Sequence, residues 1–234
     1  METDGEKRIV IIGAGGIGTI VSEFLSRYLN FSDNDDKKEI MIVDGKNYKS
    51  KNMERQLIDV DALGTNKAVY SVSKLKEKYK NIEYSAFPYF LDNQNIKNII
   101  NENDYVFYCV DNHKSRQLID KYCRKLDNIT LISGGNELTD GNVQIYIKKG
   151  GDEKTVNIGK YHPEIRQAKD KSPSEMSCEE LAMEGEPQLF FMNALVAIIM
   201  CTAFYNIINN TFKYSNSEIY IDMIEMGAIP RERY

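Results

Sequence analysis

The chain has no tryptophan and only two histidines, five prolines and four cysteines in 234 residues. The cysteines, Cys109, Cys123, Cys178 and Cys201, include no CxxC pair. No structural zinc of the usual kind is therefore expected, and nothing suggests a disulfide scaffold. Excess basic charge is also missing: the formal net charge is −5, so the electrostatic footprint of a nucleic-acid binder is absent. The opening METDGEKR is polar and lacks the apolar core of a signal peptide. These absences point to a cytoplasmic, reducing setting. Hydrophobic content of 42% and charged content of 28% match a globular domain.

One stretch has little charge. None occurs between Glu186 and Lys213, and Leu189 to Ile208 is mostly apolar. That length suffices to cross a membrane. Asn193, Thr202, Tyr205 and Asn206 interrupt it, however, and no basic cluster flanks it. It reads as a buried core or dimer-interface helix, so no membrane partner is expected.

What is present is an alternation of short apolar runs and helical patterns. Arg8 to Ile12 reads as a buried parallel strand, followed by Ile17, Ile20, Val21, Phe24, Leu25 and Tyr28 at helical spacing. Ile40 to Val43 is a second strand, Lys67 to Tyr79 a helix, and Ile82 to Phe87 a third strand. Tyr105 to Val110 is a fourth strand, followed by a helix that carries Leu118, Ile119, Tyr122 and Leu126. Ile129 to Ser133 is the next strand. Such alternation implies a doubly wound, mostly parallel, Rossmann-like α/β sheet with right-handed crossovers. Val143 to Ile147 and Glu218 to Ile224 alternate as antiparallel strands do. The reading is one domain over 1–234. Its nucleotide-binding part is 1–135 and its C-terminal part 136–234, with an irregular crossover at 149–187 and an apolar helix at 188–208.

Gly13-Ala14-Gly15-Gly16-Ile17-Gly18 follows a strand and opens a helix. Glycines there let backbone approach phosphate, and the helix N-terminus offers N–H groups and a positive dipole end. Asp44, at the tip of the second strand, is placed for a ribose hydroxyl. The set implies a nucleotide without saying which.

Asp44 is followed by GKNYKSKNMERQ and GTNKA, which bring Asn52, Arg55, Gln56 and Lys67 close to the phosphate loop. Arg binds phosphate oxygens bidentately and Lys adds a mobile charge. Both suit the negative charge that builds during adenylyl transfer. Asp111-Asn112, in VDNHKSR, ends the fourth strand, and a carboxylate there is a natural Mg²⁺ ligand. Taken singly, each of these residues reads as well as a solvated charge or a helix cap. His113 and His162 read as ordinary surface residues.

With GAGGIG, Asp44, NMERQ, GTNKA and VDNHKSR in this order, the chain resembles the ThiF/MoeB/HesA family, the adenylation domain shared with ubiquitin-activating enzymes. LISGGN and GNVQIYI are similar to the family's later strands. The likeness is good over roughly 7–150 and loose beyond. It implies that Gly13, Gly15, Gly16 and Gly18 cradle ATP phosphates, that Asp44 holds the ribose, and that Asn52, Arg55, Gln56 and Lys67 bind and activate the phosphates. Asp111 would hold Mg²⁺, with Asn112 beside it. The implied reaction adenylates the C-terminal carboxylate of a small ubiquitin-like protein with a Gly-ended tail, within a homodimer.

The chain departs from MoeB-type members in lacking paired CxxC motifs and a long N-terminal extension. That suggests a divergent, short bacterial or phage-defence-like branch. Many relatives pass the carboxylate to a cysteine, and a downstream conjugating enzyme would then receive it. Cys178, in SPSEMSCEELAMEGEPQ, is the candidate, since a helix N-terminus lowers a thiol's pKa; an incidental loop thiol is the other reading. The remaining cysteines read as structural. Two alternatives stay open: adenylation of a peptide or small-molecule carboxylate, and a nucleotide-binding scaffold without catalysis. A plain NAD oxidoreductase leaves NMERQ unexplained.

Overall fold

A computed structural model describes residues 6–32, 37–171 and 188–231. The first half runs β1 (Glu6–Ile12), α1 (Gly16–Asn30), β2 (Lys37–Val43), α2 (Lys67–Lys78), β3 (Glu83–Phe87), α3 (Ile96–Ile99), β4 (Tyr105–Tyr108) and α4 (His113–Cys123). It continues with β5 (Ile129–Asn136), β6 (Asp140–Lys149), β7 (Asp152–Glu153), α5 (Ile158–Tyr161) and α6 (Pro163–Arg166). The chain ends with α7 (Phe190–Ile208), β8 (Glu218–Asp222) and β9 (Gly227–Pro230).

The strands form one sheet in the order β3-β2-β1-β4-β5-β6-β8-β9, with β7 paired to β6. From β3 to β5 the pairing is parallel. From β5 onward it is antiparallel. The expected doubly wound sheet with antiparallel strands added in the C-terminal part is what forms.

Alternation along the central strands divides the core. Ile9 and Ile11 of β1, Ile40 and Ile42 of β2 and Phe107 of β4 face α1, α2 and α7. Val10 and Ile12, Val106 and Tyr108, and Leu131 face the layer of α3, α4, α5 and α6. Strands buried on both faces must be apolar throughout, which is why these runs lack polar alternation. Successive connections leave β1 and β4 on opposite faces. Their carboxyl ends therefore open a crevice, the usual ligand position in such sheets.

The apolar helix α7 packs on α1, β5 and β6. Met192, Val196, Ala197, Met200, Ala203 and Phe204 are buried. By length and composition alone this helix could cross a membrane; here it completes one side of the core. Part of the 149–187 crossover is more regular than its sequence suggests, because β7, α5 and α6 lie within it. Their runs of two to four residues are too short for periodicity to register. α3, with only four residues, escaped for the same reason. Cys178 and its surroundings lie outside the described residues.

Candidate active site

The glycine turn is built by close backbone approach. Gly13 has φ +95°, a left-handed conformation that glycine adopts without strain. A Cβ on Gly18 would overlap the Gly13 carbonyl oxygen, and one on Gly16 would overlap the Asn193 side chain. The turn is tied to β2 by Asp44, whose Oδ2 accepts from Ala14 N at 2.8 Å while Oδ1 accepts from Lys46 N at 2.8 Å. Asp44 thus organises the loop and lines the cavity; each oxygen keeps a further lone pair for a ligand hydroxyl.

The segment after Asp44 folds over this turn. Tyr48 is buried, and its hydroxyl donates to Ala14 O at 3.2 Å. Asn52 Oδ1 accepts from Lys49 N at 2.8 Å, closing a short turn. Lys67 opens α2, whose first turn Asn66 caps by accepting from Val69 N at 3.1 Å. The Lys67 ammonium donates to Gln56 Oε1 at 3.2 Å and sits 5.2 Å from the Tyr48 ring centroid. Lys67 is only 6% exposed. Burial is the chief reason its pKa lies below the usual lysine value; Lys46 and Arg55 push the same way, against Asp44 and Asp111. Arg55 is half-buried beside it.

One cavity of about 840 Å³ gathers these groups. Gly13, Gly15, Gly16, Asp44, Asn52, Arg55, Gln56, Lys67 and Asp111 all line it. Asp111 is exposed, just beyond β4. Two residues predicted for nucleotide contact do not line it. Gly18 serves the turn from behind. Asn112 is buried as the N-cap of α4: its Oδ1 accepts from Ser115 N at 3.0 Å, and its Nδ2 donates to Lys171 O at 2.9 Å.

The cavity continues past Asp111 over the β5–β6 hairpin, lined there by Arg116, Gly134, Gly135, Gly141 and Gln144. Arg116 donates to Ser133 Oγ and Gly134 O, both at 3.2 Å, and its guanidinium lies over the Tyr108 ring. His162 also lines it and corrects the surface reading. Its side chain is 17% exposed, held between Glu164 at 2.7 Å and Glu218 at 2.8 Å. The hydrogen bond to buried Glu218 leads in raising its pKa above the ordinary histidine value. His113 is exposed, as expected. Burial raises the thiol pKa of Cys109, Cys123 and Cys201, which suits structural roles.

Sequence reasoning passed over two site residues. Asn193 read as an interruption of an apolar helix, yet it is fully buried and its Nδ2 donates to Arg55 O at 3.2 Å. An amide in the first turn of an apolar helix was the available signal. Arg116 lay inside VDNHKSR, at the i+4 position from Asn112.

Comparison with known proteins supplies the family. A model of the ThiF family matches residues 3–231. The chain is 27% identical over 218 residues to the adenylyltransferase and sulfurtransferase UBA4 of Debaryomyces hansenii, covering 89% of this chain and 43% of that protein. It is 29% identical over 139 residues to the adenylyltransferase and sulfurtransferase MOCS3 of Caenorhabditis briggsae, covering 59% and 33%. The chain thus spans less than half the length of these curated relatives. The crystal structure of E. coli MccB with ATP shares the fold, with a TM-score of 0.72, 18% identity, and coverage of 97% of this chain and 63% of that one. With the glycine turn, the strand-tip carboxylates and the Arg55–Lys67 pair in one crevice, and a family match over nearly its whole length, this chain belongs to the ThiF family.

Proposed function

We propose that the protein uses ATP to adenylate the C-terminal carboxylate of a small ubiquitin-like or sulfur-carrier-like protein with a Gly-ended tail. One observation carries this reading: the cationic nucleotide crevice and the glycine-floored channel over β5–β6 are a single cavity. That continuity lets a tail carboxylate meet a nucleotide. A carboxylate oxygen attacks the α-phosphorus, the bond to the β-phosphate oxygen breaks, and acyl-adenylate and pyrophosphate result. Backbone N–H groups at the start of α1 cradle phosphate, and Asp44 accepts from the ribose. Arg55 and Lys67 stabilise charge gathering on the phosphoryl oxygens, and more strongly for being partly or wholly out of water. Gln56 aims Lys67.

Magnesium fits the donor set. Asp111 would hold it with phosphate oxygens and water, as this ion commonly binds through one or two carboxylates. Bound there, it would neutralise triphosphate charge. Among the described residues no cluster of three or more His, Cys, Asp or Glu gathers to hold a metal, so the nucleotide itself would complete the site.

The relatives support the reading: UBA4 and MOCS3 are named adenylyltransferases, and MccB is known with ATP and with MccA. The same chemistry on a peptide or small-molecule carboxylate is the second reading. Transfer to Cys178 and on to a conjugating enzyme, a homodimer and a cytoplasmic setting complete the proposal.

The test is ATP–pyrophosphate exchange with Mg²⁺, with a Gly-ended carrier protein, with short peptides, and with neither. Carrier-dependent exchange is expected. Exchange with peptides alone would favour the second reading. ATP binding without exchange for any acceptor would leave a scaffold.

A further inference from the structure

Asn193 sits where a polar side chain is least expected. Of the residues that α7 buries it alone is polar, and it is fully out of solvent. Thr202 and Tyr205, further along the helix, are exposed. The Asn193 Nδ2 donates to Arg55 O at 3.2 Å, while its Oδ1 has no hydrogen-bond partner among the described atoms. A half-satisfied buried amide costs stability that an apolar residue of the same size would not. Such a breach of the pattern of a buried helix is expected where a residue serves a site. Asn193 does not line the cavity, so its service passes through another group.

That group is the peptide joining Arg55 to Gln56. A peptide unit is planar, so holding its two ends fixes the Cα atoms on both sides. Asn193 holds the carbonyl end. At the other end Gln56 N donates to Asn52 O at 2.9 Å. From one side of this plane leaves the Arg55 side chain, which lines the cavity. From the other leaves Gln56, whose Oε1 accepts from the Lys67 ammonium at 3.2 Å. The next residue ties the segment to the glycine turn: Leu57 N donates to Thr19 Oγ1 at 3.3 Å, and Thr19 Oγ1 donates to Gly15 O at 2.8 Å. Asn193 itself abuts Gly16, at the start of α1. One amide of α7 therefore meets both the segment that carries the cations and the first turn of the helix that faces the crevice.

We propose that Asn193 is a positioning residue for the phosphate site: it locks the Arg55–Gln56 peptide so that the Arg55 guanidinium and the Gln56-held Lys67 ammonium converge on the nucleotide's phosphates. This role rests on the crevice holding ATP, as read above, and not on which carboxylate is adenylated. It concerns the phosphates alone and makes no demand on the adenosine moiety.

Calorimetric titration of the full chain with Mg²⁺–ATP and with adenosine tests this. Asn193→Leu keeps the volume and removes both the donor and the orphan acceptor, so its melting temperature should stay close to that of the wild type. It should weaken ATP about tenfold, the scale of one displaced charge-assisted hydrogen bond, and leave adenosine unchanged. In a chain that already carries Arg55→Ala, the same change should cost less than about threefold, because the group through which it mainly acts is gone. A loss shared equally by ATP and adenosine, or a cost of about threefold or more on top of Arg55→Ala, would overturn the proposal. Asn193→Val is the second variant; loss of folding in both would mark the amide as structural and end it. Unweakened ATP binding by a folded Asn193→Leu chain would remove this role alone. No binding of ATP by the wild type would remove the nucleotide reading and this role with it.

Discussion

Lys67 holds its charge where water is scarce, so its proton leaves at a lower pH than that of an ordinary lysine. We expect Lys67→Ala to lower exchange about a hundredfold, the scale of removing one preorganised charge-stabilising group. Lys67→Arg, which stays charged, should keep partial activity and move the alkaline limb of the pH–rate profile upward. An unmoved limb would remove Lys67 from the reaction. Asn112 makes the contrasting case. Its contacts are those of a helix cap and a tie to Lys171. Asn112→Ala should therefore cost about 1 kcal/mol of stability, with Asn112→Asp restoring most of it, in denaturant titrations. A large rise in KM for ATP at unchanged stability would instead assign Asn112 to the nucleotide. Resemblance had placed both residues at the nucleotide, and spacing alone does not separate them. Which way an amide turns depends on the carbonyl that arrives from residue 171, and no local pattern reports that.

At the scale of elements, α7 and the glycine turn meet through one side chain. Asn193 donates to Arg55 O and lies where a Cβ on Gly16 would stand. Gly16→Ala should weaken ATP binding, and Asn193→Ala in the same chain should restore part of it; a double-mutant cycle reads this as coupling between the two sites. Gly18→Ala meets the backbone oxygen of Gly13 instead, so the same second change should not rescue it. His162 joins the α5–α6 turn to β8. With its pKa raised above 6.5, the folded state binds the proton more tightly than the unfolded chain. The stabilisation is thus complete below about 6.5 and declines as pH climbs through the raised folded value. His162→Gln should flatten that part of the stability–pH curve in urea titrations. Long elements were legible because periodicity accumulates along them: β1, α1, β4 and α7 all stand where expected. The two- to four-residue elements β7, α3, α5 and α6 held no such signal. The partial burial of His162 was equally hidden, because Glu218 reaches it from a strand 56 residues away.

For the whole molecule, the outer faces of α1 and α7 leave apolar area in solvent. Phe191 is 73% exposed and Ile198 45%, and Tyr28 packs edge-on against Tyr205 beside them. The homodimer proposed above would use this face, as exposed apolar surface marks interfaces. Sedimentation should show a dimer for the wild type and a monomer for Phe191→Glu with Ile198→Glu; a wild-type monomer at every concentration would end that assignment. The nucleotide half of the crevice could be read early because its residues cluster in three short motifs. The half over β5 and β6 could not, because it is made by the pairing of those strands, where Gln144 stands opposite Ser133. The central claim is that a carboxylate attacks the α-phosphorus. It is tested most directly by placing ¹⁸O in the C-terminal carboxylate of the carrier protein and hydrolysing the product after reaction with ATP and Mg²⁺. The account predicts one labelled oxygen in the released AMP and none in pyrophosphate; label in inorganic phosphate, or AMP without label, would contradict it.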